Sequence, residues 1–147
     1  MRYSLLAAAL AVAEPLLREM GWMANRVQSL SEGQERLAGD GKTAFQTPFA
    51  TLHAFEGFAD LFLTTPNQGV RDNALEISLP VKSTKLALSY HQYDSDAGSQ
   101  QLGSEVNATL AWDPAPNLNL LVKLAQYNAD SHAVDTTKVW FMASFNL

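Results

Sequence analysis

The sequence contains no cysteine, no run of like charges and no long apolar segment. Without cysteine the chain has no disulfide, no thiolate zinc site and no thiol nucleophile. It carries ten basic and fifteen acidic residues, a net charge of -5, and this balance predicts no nucleic-acid partner. The longest apolar run covers nine residues, 5–13, whereas a membrane-spanning helix needs roughly 20. Spanning helices are therefore excluded, and a membrane β-barrel is left open.

The amino-acid composition and the hydrophobic pattern of the chain change near Gly39. Residues 1–38 predict a helical N-terminal segment, because good helix formers dominate and apolar residues recur at three- and four-residue spacing. These apolar residues are Leu16, Leu17, Met20, Met23 and Val27. Residues 1–13 also have the features of a small secretory signal, with Arg2 before an apolar stretch and a small-x-small site at 11–13. The sequence leaves open whether they are a cleaved signal or the first turns of the helix.

Residues 42–69 form an irregular stretch, interrupted by Thr47-Pro48, Thr65-Pro66 and Asn67-Gln68-Gly69. Between these breakers Leu52, Phe55, Ala59 and Phe62 fall at helical spacing. We expect a short helix within a long loop.

From residue 73 onward the apolar period changes to two. Five consecutive segments alternate apolar residues with polar or small ones, as half-buried strands do. They cover residues 74–81, 86–91, 105–112, 118–125 and 138–147. With their flanks they run to about nine to eleven residues, which suits a tilted membrane-crossing strand better than the five or six residues usual in soluble sheets.

The connections between these segments alternate in length. Residues 82–84 and 113–117 are short, whereas residues 94–102 and 128–136 are long and polar. Bacterial outer-membrane barrels have short periplasmic turns and longer external loops. The predicted fold is therefore mainly β, an antiparallel up-and-down meander of about five long strands from an outer-membrane β-barrel, with a periplasmic C-terminus.

Aromatic residues near both ends of these strands favour the same reading. Tyr90, Tyr93, Tyr127 and Trp140 lie next to the long connections, while Trp112 and Phe145 lie near the short ones. Outer-membrane barrels carry aromatic girdles at both membrane interfaces. The sequence thus predicts two girdles.

Residues 39–60 resemble the C-terminal part of the bacterial alginate-export porins, and the similarity continues to residue 147. The segments that carry it are Phe45-Gln46-Thr47-Pro48, Thr51-Leu52-His53-Ala54-Phe55 and Asp135-Thr136-Thr137-Lys138-Val139-Trp140. The resemblance implies a bacterial outer-membrane β-barrel that exports an anionic polysaccharide such as alginate, or passes small solutes. It also implies two partners, the lipid bilayer and the barrel-assembly machinery, which reads the last strand as a signal.

The chain departs from that family at both ends. It ends in Leu147, where assembly signals usually end in an aromatic residue, and residues 1–38 have a character unrelated to barrel strands. A membrane barrel needs at least eight strands, so the five predicted here cannot close alone. We expect residues 39–147 to be a partial barrel and the chain to be a fragment, truncated or rearranged.

The alternation nominates a lumen face. Its polar residues are Glu76, Ser78, His91, Glu105, Asn107, Thr109, Lys123, Tyr127 and Lys138. Lys123 and Lys138 are the candidates for attracting an anionic solute, since an ammonium attracts carboxylates without locking them in place. The alternative is that both lysines pair with Glu76 or Glu105.

No catalytic, metal or cofactor site is predicted. The three histidines lie in different contexts, no serine occupies a Gly-x-Ser-x-Gly turn, and His132 is expected to lie exposed in a loop. Asp94, Asp96 and Gly98 begin like a calcium loop, but the downstream glutamate is missing.

A second reading, from a different class, is a soluble antiparallel sheet whose apolar face is covered by the helix at residues 16–27, serving as a non-catalytic binding or structural domain. The two readings differ over whether one set of side chains points to lipid or to that helix. The set is Leu75, Ile77, Leu86, Leu88, Leu110, Leu120, Val122 and Phe141.

Overall fold

The computed structural model describes residues 29–47, 56–81 and 84–146, which form one six-stranded antiparallel sheet. The strands are β1 (Ser29–Leu37), β2 (Val70–Val81), β3 (Thr84–Asp94), β4 (Gln101–Ala115), β5 (Leu118–Ala129) and β6 (Thr136–Phe145). Each strand pairs with its neighbours in chain order, so the predicted antiparallel meander is confirmed. Within these described ranges no helix is long and apolar enough to cross a membrane.

The first strand corrects the predicted helical segment. β1 pairs with β2 from Ser29 opposite Ser78 to Leu37 opposite Val70, so residues 29–37 are strand and not helix. Two serines and Gly33 make this stretch a poor helix, and pairing with β2 satisfies its backbone groups. The remainder of the predicted helix and the signal-like residues 1–13 lie outside the described residues.

The five predicted strands appear as β2 to β6. They contain 12, 11, 15, 12 and 10 residues. Two residues separate β2 from β3 and β4 from β5, whereas six residues separate β3 from β4 and β5 from β6. The alternation of short and long connections is as predicted, and β1 ends and β2 begins at the same end of the sheet as the long connections.

The pairing register sorts the strand side chains onto two faces. We define the apolar face by Leu30, Leu75, Ile77, Leu79, Leu86, Leu88, Tyr90, Val106, Ala108, Leu110, Trp112, Leu120, Val122, Leu124, Val139, Phe141, Ala143 and Phe145. We define the polar face by Glu35, Asp72, Glu76, Ser78, Ser89, His91, Glu105, Asn107, Thr109, Lys123, Tyr127 and Lys138.

The buried core lies on the polar face, beneath residues 56–69, which we call the covering loop. It contains Ala59 and Phe62 of the loop together with Val70, Tyr93, Leu102, Ala125 and Tyr127 of the sheet and its connections. The predicted short helix is wrong over residues 56–62, because Gly57 and Asp60 have positive φ angles of 83° and 54° that interrupt helical backbone. Residues 52–55 lie outside the described part of the chain.

The predicted aromatic girdle next to the long connections is wrong for three of its four members. Tyr93 and Tyr127 are buried beneath the covering loop, and Trp140 packs against the same core from the polar face. Only Tyr90 lies on the apolar face at that end, while Trp112 and Phe145 lie exposed on it at the other. Whether an aromatic side chain lies on the apolar or the polar face depends on its position in the alternation and not on its distance from a loop.

Candidate functional site

The covering loop is attached to three strands of the polar face. The Tyr93 hydroxyl of β3 donates to the Glu56 carbonyl oxygen at 2.9 Å, and the backbone N–H of Ala59 donates to Glu105 Oε1 of β4 at 2.9 Å. Lys138 of β6 donates to the carbonyl oxygen of Ala59, and its ammonium lies 3.8 Å from the Asp60 carboxylate. These contacts fix residues 56–60 of the covering loop over the polar face of the sheet.

Aromatic stacking holds the loop farther along. The ring of Phe62 lies 4.6 Å from that of Tyr93 and 4.8 Å, centroid to centroid, from that of His132. His132 also places Nε2 3.1 Å from the carbonyl oxygen of Leu61. His132 is therefore half-buried against the loop and not simply exposed, which corrects the prediction from sequence.

Gly57 allows the loop to approach the sheet this closely. Its φ of 83° is a conformation that residues with a Cβ rarely adopt. A Cβ at this position would also collide with the Tyr93 hydroxyl and the Glu105 carboxylate. The glycine is thus required both for the backbone turn and for the close contact.

A cavity of about 320 Å³ opens beside the loop, between residues 57–58 and strands β1, β2 and β3. One wall carries a chain of polar contacts in which His91 Nδ1 lies 2.8 Å from Asp72 Oδ2 and His91 Nε2 lies 3.2 Å from the Ser89 hydroxyl. Asn107 donates to the same hydroxyl at 3.3 Å. Glu35, Asp72, Glu76 and Phe58 also line the space.

Carboxylates dominate the surroundings of this cavity. Glu56, Asp72 and Glu105 are buried, and four of their oxygens have no hydrogen-bond partner within the described part of the chain. These are both oxygens of Glu56, Asp72 Oδ1 and Glu105 Oε2. Burial, and then the negative charges of Glu35 and Asp72, raise the pKa of Glu56 to about 7. The site therefore has more buried acceptors than donors.

Asp72, His91 and Ser89 stand in the order of a hydrolytic triad, which raises the question of catalysis. Acyl transfer also needs donors aimed at a developing oxyanion. Here Glu35 and Glu76 line the same cavity and would oppose an added negative charge. The chain of contacts is better suited to orienting His91 than to hydrolysis.

The described residues include no group of three or more His, Cys, Asp or Glu side chains arranged to hold a metal ion. The opening of a calcium loop noted in the sequence has another role. Asp96 binds the guanidinium groups of Arg36 at 2.6 Å and Arg71 at 3.2 Å, which ties the β3–β4 connection to β1 and β2. These ion pairs, with the hydrogen bond from the Gly39 backbone, lower the pKa of Asp96 to about 2.

The two lysines that are predicted to attract a solute both contact the covering loop. The Lys123 ammonium lies 4.4 Å from the ring centroid of Phe58, a cation–π contact, and Lys138 binds Ala59 and Asp60. No ion pair joins either lysine to Glu76 or Glu105 among the described residues. In this structure both lysines hold the loop in position.

The other predicted lumen residues divide by their position along the strands. His91, Glu105, Asn107 and Tyr127 are gathered beneath or beside the covering loop, and Glu76 lines the cavity. Ser78 and Thr109 flank Ala87 on the polar face, two residues nearer to the short connections than Glu76 and Asn107. The structure thus places every predicted residue on one side of the sheet.

Sequence reasoning missed four members of the site. An alternating pattern that begins at residue 73 leaves out Asp72, although its position in β2 matches the polar face. The alternation of β3 places Ser89 on the polar face beside His91, but Ser89 is not among the predicted lumen residues. Glu35 lies in the N-terminal segment predicted as helix, and Glu56 lies within the short helix expected between residues 52 and 62, where no pattern marks it as a site residue.

Comparison of the chain with known protein families, with curated protein sequences and with solved structures found no match in any of the three. The resemblance to alginate-export porins therefore stays a prediction that rests on the residues quoted for it.

Proposed function

We propose that the chain forms part of the wall of a β-barrel porin in the bacterial outer membrane, with its apolar face toward lipid and its polar face toward the lumen. The observation that carries this proposal is the exposure of the apolar face. Val139 is 51% exposed and Phe141 80% exposed, and large apolar side chains are exposed along β3 to β6. A contiguous apolar surface of this kind is rare on soluble monomers and suits a hydrocarbon environment.

Strand length supports the same proposal. The 11 residues of β3 extend roughly 36 Å at 3.3 Å per residue. Tilted by about 40°, as in outer-membrane barrels, such a strand covers about 28 Å, enough to cross an apolar layer about 25 Å tall.

The sheet needs additional strands to close. β1 and β6 are its edge strands, and nothing in the described ranges pairs with their outer sides. Unpaired backbone groups cost several kcal/mol each in hydrocarbon, and a closed barrel needs at least eight strands. The working pore therefore includes strands beyond these six, joined with the help of the barrel-assembly machinery.

The covering loop gives the proposed lumen a constriction. It is anchored to β3, β4 and β6 at once, so it extends across the polar face and narrows any passage along it. Passage is passive, and the loop with the charges around it sets which solutes pass.

The solute class follows from two separate lines of reasoning. The resemblance favours an anionic polysaccharide such as alginate, for which Lys123 and Lys138 were the candidates. Both lysines contact the loop, whereas Glu35, Asp72 and Glu76 line the open cavity. Small solutes are therefore the better-supported cargo of the loop-covered state.

A soluble sheet, acting as a binding or structural domain, is the second candidate, and one observation favours it. Leu75 and Leu79 on the apolar face of β2 are only 9% and 8% exposed, unlike their counterparts on β6. In that case the apolar face is covered by protein and not by lipid.

The absence of native cysteine allows a direct test of the orientation. Leu110→Cys and Thr109→Cys place single thiols at adjacent residues on opposite faces, and each carries a fluorophore in the full chain reconstituted into lipid vesicles. We expect brominated lipid to quench the label at residue 110 several-fold more than the label at 109. We expect iodide in the aqueous phase to show the reverse preference.

Two outcomes would contradict the proposal. One is equal quenching of the two labels by brominated lipid. The other is a chain that remains monomeric in buffer without detergent and does not enter vesicles, which would favour the soluble sheet.

A further inference from the structure

The cavity beside the covering loop has an excess of hydrogen-bond acceptors. Asp72 uses one carboxylate oxygen to pair with His91, and its other oxygen has no partner in the described part of the chain although the side chain is only 3% exposed. Glu35 and Glu76 line the same space from neighbouring strands. An unpartnered buried carboxylate oxygen is costly, so this arrangement is suited to a ligand that brings donors.

The required ligand is positively charged. The described residues that line the cavity include no lysine or arginine, and His91, whose Nδ1 lies 2.8 Å from Asp72 Oδ2, is the one lining side chain among them that can carry a positive charge. Glu56 is not part of the lining, but the charges of Glu35 and Asp72 act on it, so it adds to the acidic surroundings of the cavity. A cation entering the cavity would gain Coulomb energy from several carboxylates at once.

The shape of the cavity favours an organic cation over a metal ion. A volume of about 320 Å³ is at the small end of the range for small-molecule sites. No set of three metal-ligating side chains converges in the described residues. Phe58 supplies an aromatic wall, and the Ser89 hydroxyl supplies a further polar contact.

We propose that this cavity binds the ammonium or guanidinium group of a small cationic solute, with Asp72 as the principal acceptor and Glu35 and Glu76 completing the site. As a solute site of a pore this rests on the proposed function. Binding itself does not, because the cavity is formed by β1, β2, β3 and the covering loop in either environment.

The test uses n-butylguanidinium and n-butylurea, which have nearly the same shape and differ in charge. Isothermal titration with the full chain in detergent micelles, at low ionic strength and pH 8, measures both. We expect n-butylguanidinium to bind at least tenfold more tightly than n-butylurea. Asp72→Asn and Glu76→Gln should each weaken n-butylguanidinium at least tenfold and leave n-butylurea unchanged.

Asp113→Asn is the matched control, because it removes a carboxylate on an exposed residue at the opposite end of β4. Asp72→Asn also disturbs His91, so Glu76→Gln, an exposed residue, serves as the variant that preserves the fold. Equal affinity for the two probes, no binding by folded wild-type chain, or saturation by Ca²⁺ in place of n-butylguanidinium would overturn the proposal. The vesicle quenching experiment tests the porin separately, so the two failures are distinguishable.

Discussion

On the polar face of the sheet Glu105 and Asn107 are buried, whereas on the apolar face Leu110 and Phe141 are exposed. A half-buried sheet in water shows the reverse, with apolar side chains against the core and polar ones in solvent. The burial of the polar residues is explained by the loop, which covers the polar face and donates a hydrogen bond from the Ala59 backbone to Glu105 Oε1. Under the proposed porin function, the exposed apolar side chains would face hydrocarbon instead of water.

The comparison of the two faces also shows where the fold is held together. Hydrogen bonds, ion pairs and aromatic stacking concentrate between the covering loop and the polar face. The apolar face depends on its surroundings, since much of its surface is not covered by the described protein. Substitutions on the two faces should therefore respond differently to the environment.

The largest contrast is expected for arginine at adjacent residues of β6. Phe141 on the apolar face is 80% exposed, and Met142 on the polar face is 52% exposed. In a bilayer, Phe141→Arg should lower the free energy of unfolding by about 2–4 kcal/mol, because a charged side chain then faces hydrocarbon. Urea unfolding of the chain from lipid vesicles measures the change.

Met142→Arg is the matched control and should lower the free energy of unfolding by about 1 kcal/mol or less, because its side chain lies on the polar face. If Phe141→Arg is as mild as Met142→Arg, the apolar face does not contact lipid. That result would support the soluble alternative.

A smaller effect is expected where the loop approaches the polar face most closely. Gly57→Ala introduces a Cβ at a positive φ and against Tyr93 and Glu105, so the loop should be released from the sheet. We expect proteolytic cleavage within residues 56–69 to increase at least tenfold, equivalent to about 1.4 kcal/mol or more.

Gly41→Ala is the control for backbone strain, because Gly41 has a similar φ of 87° and open space around it, and its N–H contacts the loop at the other end, at the Asn67 carbonyl oxygen. It should leave cleavage within residues 56–62 unchanged. Equal cleavage in the two variants would mean that the close contact with the sheet contributes nothing to loop position.

The alternating period predicted β2 to β6 and their faces, because each has one consistently apolar side. It did not predict β1, whose positions on the apolar face are Leu30, Glu32, Gln34 and Arg36. These residues have no apolar period, and their strand conformation depends on pairing with β2, a partner about forty residues away in sequence. Local pattern alone contains no signal for such a strand.

The site was less predictable than the fold. His91, Glu105 and Lys138 were nominated from their positions in the alternation, and the structure brings them near one loop. Which end of the polar face is covered depends on Gly57 and on anchors contributed by three strands. The residues that those contacts join are separated by 37 to 79 positions in the sequence, so the contacts cannot be inferred from local patterns in a single sequence.

The smallest effect on loop closure is expected from the ionisation of Glu56. Burial beneath the loop, with Glu35 and Asp72 nearby, raises the pKa of Glu56 to about 7 from 4.5. Between these values the closed loop holds a proton that the released loop has lost, so loop closure weakens as the pH rises and is weakest above 7. Cleavage within residues 56–69 should increase roughly tenfold from pH 5 to pH 8, after correction for the protease's own pH profile.

Glu56→Gln keeps the shape and removes the ionisation, so cleavage of this variant should change little across that range. Glu35, Asp72, His91 and Glu105 are present in both proteins, so the difference between the two pH profiles isolates Glu56. A pH profile of Glu56→Gln that parallels the wild-type profile would assign the dependence to those neighbours. Loss of the dependence would place the controlling proton on the loop, at the point where the polar face is closed.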